Sequence, residues 1–437
     1  MKNCFLLTAL LLLTGRVMSQ NKIKFTEYNL ANGLHVILHE DHSTPIVAVT
    51  VTYHVGSKNE DAMRTGFAHF FEHLMFEGSD NIKRGQYINY VQNAGGQLNA
   101  NTSFDRTFYY EVLPSNQFEL GLWLESERML HSKIDSIGVE TQRKVVKEEL
   151  KQRNENTPYG SMINETFAHA FKVHPYRWTP GGSAEYINKS ELQEFIDFYK
   201  LFYVPNNATL SIAGDINPEE AQLLIRKYFS DIPKGKKRIP RPTIVEPLKT
   251  EEVRDTVYDN IQLPAVVMAY HIPAEGTPQS YPVNMLTTLL SEGKSSRMQK
   301  ALVDKQQQAL STGLSSIPSE HPGLAILFSI SNIGISPVSL EAGMEDELNK
   351  VKNELITEEE FQKIRNQIEN DLVNKNSKMA GIAERLANYY IYYKNTNLIN
   401  TEVERYFSVT REEIKKAAQK YFTKENRVVL YYLPKQK

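Results

Sequence analysis

Apolar and polar positions follow two periods along the chain, one of two residues and one of about 3.6, so strands and amphipathic helices are expected to mix in both halves. Residues 30–38, Leu-Ala-Asn-Gly-Leu-His-Val-Ile-Leu, place an Asn-Gly pair before an apolar run and predict a hairpin-like tight turn. An alternating strand spans 47–55 and contains Tyr53-His54. Amphipathic helices close near Phe202 and near Phe422, each followed by a turn and a strand. The start of the chain differs: an apolar run over 5–13 and small residues up to Ser19 read as a secretory signal, cleaved after Ser19. Crossing a membrane needs about 20 apolar residues, so this run is too short for a stable anchor.

The pattern occurs twice. Lys200, Phe202, Asn206 and Leu210 recur without gaps as Lys420, Phe422, Asn426 and Leu430, and Ser190, expected as a helix cap, recurs as Thr410. The strand over 47–55 is echoed over 266–272, where Tyr270-His271 answers Tyr53-His54, and Glu77-Gly78 is answered by Glu292-Gly293. A period of about 215–220 residues marks a tandem duplication. The expected fold is α+β: two homologous tandem domains, each a mostly antiparallel β-sheet packed with helices. A basic, proline-rich stretch over 233–243 reads as an exposed linker. It separates an N-terminal domain (20–232) from a C-terminal one (244–437), with the signal peptide at 1–19.

Composition narrows the partners. The 437 residues suit two domains, and 41% hydrophobic with 23% charged residues is ordinary for a globular chain. A formal net charge of -2 makes no electrostatic case for nucleic acid or an anionic membrane surface. The one cysteine, Cys4, falls in the signal, so the exported chain has no disulfides, which fits a bacterial periplasm.

The candidate chemistry is His69-Phe70-Phe71-Glu72-His73. Residues four apart on a helix project side by side, so His69 and His73 can chelate one zinc ion while Glu72 flanks it as a general base. Chance histidines on an amphipathic helix produce the same pattern now and then, so the motif alone is only moderately specific. Two imidazoles are too few ligands. A third donor is expected in the helical segment 142–153, which contains Glu148-Glu149, and helical spacing leaves the choice between the two glutamates open.

The stretch from Gly66 to Ser79, together with Gly95-Gly96-Gln97-Leu98-Asn99-Ala100, Val145-Val146-Lys147-Glu148-Glu149, His174-Pro175-Tyr176 and the duplication, resembles the pitrilysin/insulinase family of zinc metallopeptidases. The resemblance implies Glu149 as the third ligand, beside His69 and His73, and Glu72 as catalytic base. It also implies an edge strand on which Asn99 and Ala100 bind substrate backbone, although both asparagines of Asn99-Ala100-Asn101 also suit a hairpin turn. A further acidic residue often precedes the third ligand in that family; the nearby positions here are Glu140 and Gln142.

At an offset of 215, His69, Glu72 and His73 correspond to Asn284, Thr287 and Thr288, so the C-terminal domain is expected to be inactive. In the family this half commonly contributes an arginine and, seven residues on, a tyrosine near the metal; the two positions fall on Val303 and Leu310. Arg297 is a weak stand-in, since a lone helical arginine is usually a surface charge. The chain therefore resembles the metal-bearing subunit of a processing-peptidase-like pair, a dimer with a similar chain, or with its own copy, that supplies the Arg/Tyr pair. The expected function is a zinc-dependent endopeptidase acting on peptides or unfolded polypeptides. The alternative is a non-catalytic, chaperone-like peptide-binding subunit with a vestigial site.

Overall fold

The computed structural model describes residues 22–435; the signal expected at 1–19 and Cys4 lie outside the described residues. One sheet contains β1 (Thr26–Asn29), β2 (His35–Glu40), β3 (Ile46–Tyr53), β4 (Gln97–Thr102), β5 (Thr107–Pro114) and β6 (Ala208–Gly214), in the order β1-β2-β6-β3-β5-β4. The other contains β7 (Val253–Asp259), β8 (Ala265–Ile272), β9 (Ala309–Ile317), β10 (Gly323–Ser331) and β11 (Arg427–Pro434), in the order β7-β11-β8-β10-β9. Apart from β1 the two orders match strand for strand. Each sheet has one parallel pair, β2 with β6 and β7 with β11, among antiparallel neighbours. The α+β class and the twofold repeat of mostly antiparallel sheets are as the sequence pattern predicts.

Each sheet also receives a helix from the other half. Helix Met162–Ala170 and the loop after it lay Phe167 and Phe171 against Val267, Leu324 and Leu430 of the second sheet. Helix Met379–Tyr393 lays Ile382, Leu386 and Tyr389 against Ile37, Ala48 and Ala213 of the first. The two helices begin 217 residues apart, so the exchange belongs to the repeat. This covering explains why residues 47–53 of β3 are all buried, Thr50 and Thr52 included. The Val/Thr alternation there marks no solvent face; Thr50 instead satisfies its hydroxyl on the carbonyl of Ser211 at 2.8 Å.

Near the end of each half, strand register shifts the repeat by one residue from the ungapped sequence reading. Tyr53 pairs with Ala208 and Tyr270 with Arg427. Asn207 donates to the carbonyl of Phe202 and Asn426 to that of Tyr421, five residues back in both cases. The helices before them are N-capped by Glu191 and Thr410. Each pairing sets the halves 219 residues apart here. Ser190 is consequently not the cap: its hydroxyl donates to the carbonyl of Tyr186 at 2.7 Å and closes the preceding helix.

Residues 233–252 form neither helix nor strand. They are nonetheless pinned. Arg241 donates to the carbonyl of His54 and to Asn207 Oδ1, and Glu246 accepts the backbone N–H groups of Lys172, Val173 and His174 at 2.7–3.0 Å. Among the described residues no helix is long and apolar enough to cross a membrane.

Both tryptophans, Trp123 and Trp178, lie before the connecting segment, whereas Leu386 lies after it. Leu386→Ala removes a fully buried side chain from the exchanged helix and is expected to cost about 2–5 kcal/mol. Denaturant unfolding followed by tryptophan fluorescence should show this loss in full, although the substitution and the reporters lie in different halves of the sequence.

Candidate metal centre

Helix Phe67–Leu74 buries Phe67, Phe70, Phe71 and Leu74, spaced i, i+3, i+4 and i+7, in the core of the first half, with Phe67 stacked on Phe195 at 4.6 Å between ring centroids. That stripe orients the helix and leaves His69, Glu72 and His73 to the remaining face. The N-cap is Gly66 at φ +98°, where a Cβ would come within 2.8 Å of Ile187. Glycine has no side chain with which to accept the free N–H groups of the first turn. Glu60 does so instead: its buried carboxyl accepts from Gly66 N at 2.9 Å and from Ala68 N at 2.7 Å. Burial pushes this carboxyl up to about 8, against the pull of the same backbone N–H groups. Sequence reading misses Glu60, because an acid six residues ahead of the N-cap fits no capping pattern.

The third donor comes from helix Ser136–Asn154, capped by Asp135 on Gly138 N at 2.8 Å and seated on the first core by Val139, Val146 and Leu150. Glu149 lies one position before buried Leu150 and faces the histidines, while Glu148 is exposed. His69 Nε2 and His73 Nε2 are 3.3 Å apart, and the Glu149 carboxylate oxygens lie 3.5 Å from the first and 3.2 Å from the second. His69, and after it His73, hold the Glu149 carboxyl well below the usual carboxylate range by hydrogen bonding. The side chains are 9, 25 and 36% exposed for His69, His73 and Glu149, so the triangle opens toward solvent.

Atoms bound tetrahedrally at about 2.0–2.1 Å from zinc sit roughly 3.3–3.4 Å from one another. The nitrogen–nitrogen separation matches that figure, and each nitrogen has a Glu149 oxygen at a comparable distance, Oε1 for His69 and Oε2 for His73; two nitrogens with one carboxylate is the donor set of a three-ligand site with a free fourth position. The residues therefore fit a zinc ion. Glu140 and Gln142 stay outside this cluster: Glu140 pairs with Arg143 at 3.1 Å, and Gln142 donates to Glu77 at 2.6 Å.

Glu72 lies beside the triangle, its carboxylate accepting from the Thr102 hydroxyl at 2.6 Å. Thr102 ends β4, the outermost strand of its sheet. Asn99 and Ala100 are mid-strand, paired with Tyr110 and Tyr109 of β5, and the turn falls at residues 103–106. The hairpin-turn reading of the asparagines is thereby excluded. Gly96, which leads into β4, has Leu113 and Val112 where a Cβ would stand.

The second half holds a remnant of the arrangement. Helices Ser136–Asn154 and Glu358–Lys375 are N-capped by Asp135 and Thr357, and the offset between these caps carries Glu149 onto Asp371. Asp371, Asn284, Thr287 and Thr288 line one cavity of about 900 Å³. At the positions that correspond to the three donors, a carboxylate remains without imidazoles. Val303 is packed against the second core, Leu310 is exposed on β9, and Arg297 is engaged by Glu360 through two bonds of 2.8 Å. Of the tyrosines in 389–393, Tyr389, Tyr392 and Tyr393 border the same cavity, and Tyr390 stacks on His35.

Residues 35–177 match the family model described as insulinase (peptidase family M16), and residues 190–368 match the model described as peptidase M16 inactive domain. The zinc protease PqqE of Helicobacter pylori is 29% identical over 94% of this chain and 93% of its own length. The solved structure of a protease from Helicobacter pylori superposes with a TM-score of 0.90 at 28% identity, covering 94% of this chain and 100% of that one. The periplasmic protease PqqL of Escherichia coli shares the fold, with a TM-score of 0.76 at 18% identity over 94% of this chain and 47% of its own.

Because Glu60 substitutes for the side chain that Gly66 lacks, Glu60→Ala should destabilise the protein by about 1–3 kcal/mol, measured as a lowered midpoint of thermal or denaturant unfolding.

Proposed function

Because the chain belongs to the insulinase family of peptidases, peptidase family M16, we propose that it is a zinc-dependent endopeptidase cutting peptides or unfolded polypeptides. The observation that carries this reading is the convergence of His69, His73 and Glu149 in a triangle of zinc dimensions with Glu72 at its side. These three residues would hold the ion. When bound, zinc would act as a Lewis acid toward a water molecule and a peptide carbonyl. Glu72 takes the proton of the attacking water and returns it to the amine leaving group. The free edge of β4 pairs with substrate backbone at Asn99 and Ala100, which reads main chain more than side chains. Asn99 Oδ1 now accepts from Ala100 N at 2.9 Å, an exposed contact that an incoming strand replaces at little cost.

The arrangement is that of the metal-bearing half of a two-chain peptidase. At Val303 and Leu310 the chain offers neither cation nor hydroxyl to a developing oxyanion, and Arg297 is already engaged. A donor of that kind contributes about 100- to 1000-fold. A similar chain, or a second copy, would supply it. A periplasmic location of the mature protein is supported by the signal expected at residues 1–19 and by the name of the Escherichia coli protein of the same fold, a periplasmic protease.

Two outcomes test the site. Glu72→Gln should keep one zinc per chain by metal analysis while peptide hydrolysis falls by about 100- to 10,000-fold. Glu149→Ala, or treatment with a chelator, should remove the zinc and the activity together. For the pairing, the chain is assayed alone and with a similar chain encoded beside it. Hydrolysis should rise sharply on mixing; full activity of the isolated chain as a monomer would contradict the two-chain arrangement.

A further inference from the structure

One contact ties the base to the strand proposed to hold substrate. Along β4, Leu98, Ala100 and Thr102 point to the same side, and Leu98 and Ala100 pack on the core of the first half. Thr102 thus directs its hydroxyl toward helix Phe67–Leu74 and donates to Glu72 Oε2 at 2.6 Å. This is the hydrogen bond that Glu72 accepts among the described residues. A threonine on an edge strand can satisfy its hydroxyl with water; here it is committed to a carboxylate, the stronger kind of acceptor.

The far end of β4 is held across the two halves. Arg106 donates to Asn101 Oδ1 at 2.6 Å and pairs with Glu384 of helix Met379–Tyr393. In the same turn Asp105 accepts from buried Lys58 Nζ at 2.7 Å, from Tyr176 OH at 2.6 Å and from Glu320 N at 3.0 Å. Thr102 is therefore the last residue of a strand whose end is anchored by both halves of the chain.

From this geometry we propose that Thr102 is a positioning residue for Glu72. Its hydroxyl fixes one carboxylate oxygen and leaves the other free to take the proton of the attacking water, so that seating substrate on β4 and aiming the base are achieved by one strand. The inference rests on the peptidase reading above and adds a residue that neither motif nor resemblance singles out.

The test uses Thr102→Val, which keeps the β-branched shape but removes the donor, and Thr102→Ser, which keeps the donor. The valine variant should bind one zinc, unfold at the wild-type temperature and leave KM unchanged, while kcat falls roughly 10- to 100-fold, the factor that a hydrogen bond to a charged group is worth. Serine should restore kcat to within a few-fold. Crystal structures of wild type and the valine variant should show the Glu72 carboxylate turned from its wild-type orientation in the latter. Wild-type kcat in Thr102→Val, a fall mirrored by zinc loss or a higher KM, or an unmoved Glu72 would overturn the proposal. A wild-type chain that hydrolyses nothing in any assembly would count against the peptidase reading instead, and the orientation of Glu72 in the two crystals would then decide on Thr102 alone.

Discussion

The site depends on the packing of two helices whose donors are 76 residues apart at the nearest, His73 on one and Glu149 on the other. A helix can offer two imidazoles one turn apart without help, because i and i+4 share a face. It cannot offer the third donor at the same point. That requires Val139, Val146 and Leu150 to seat the second helix on the same core that takes Phe67, Phe70, Phe71 and Leu74. The apolar stripes are thus the positioning device, and the polar residues between them inherit a separation of 3.2–3.5 Å. A shift of one residue in either stripe would turn a donor away.

The duplication extends this logic to the whole chain. Each half builds a sheet with the same order of five strands, to which the first adds β1, and each sheet is completed by a helix from its counterpart. The second half keeps Asp371 where the first has Glu149 but puts Asn284 and Thr288 in place of the histidines. Its contribution to the first site is mechanical: Glu320 and Glu384 hold the turn that ends β4, and the strand carries Thr102 to Glu72.

Features set by local spacing were legible in the sequence. The two histidines, the glutamate between them, the duplication and the α+β class all follow from period and repeat, and the resemblance selected Glu149, the glutamate that the structure brings to the histidines. What was not legible depends on residues distant in sequence or on a single position of register. The cover over β3 comes from a helix more than 300 residues further on, so no local pattern reveals that Thr50 and Thr52 are buried. Glu60 caps across a loop, outside the usual spacing. The Ser190 misassignment arises because serine is a common N-cap by type, whereas strand register at Ala208 and Arg427 makes Glu191 the counterpart of Thr410. The exposed linker reading of 233–243 overlooked Arg241, whose bonds to His54 and Asn207 form only once the chain is folded.

The central claim is that His69, His73 and Glu149 form one zinc site. Crystals grown with zinc and measured on both sides of its absorption edge test it directly. The account predicts one anomalous peak within about 2.0–2.2 Å of both Nε2 atoms and a Glu149 oxygen. No peak there, or zinc bound by other residues while this triangle stays without metal, would contradict it.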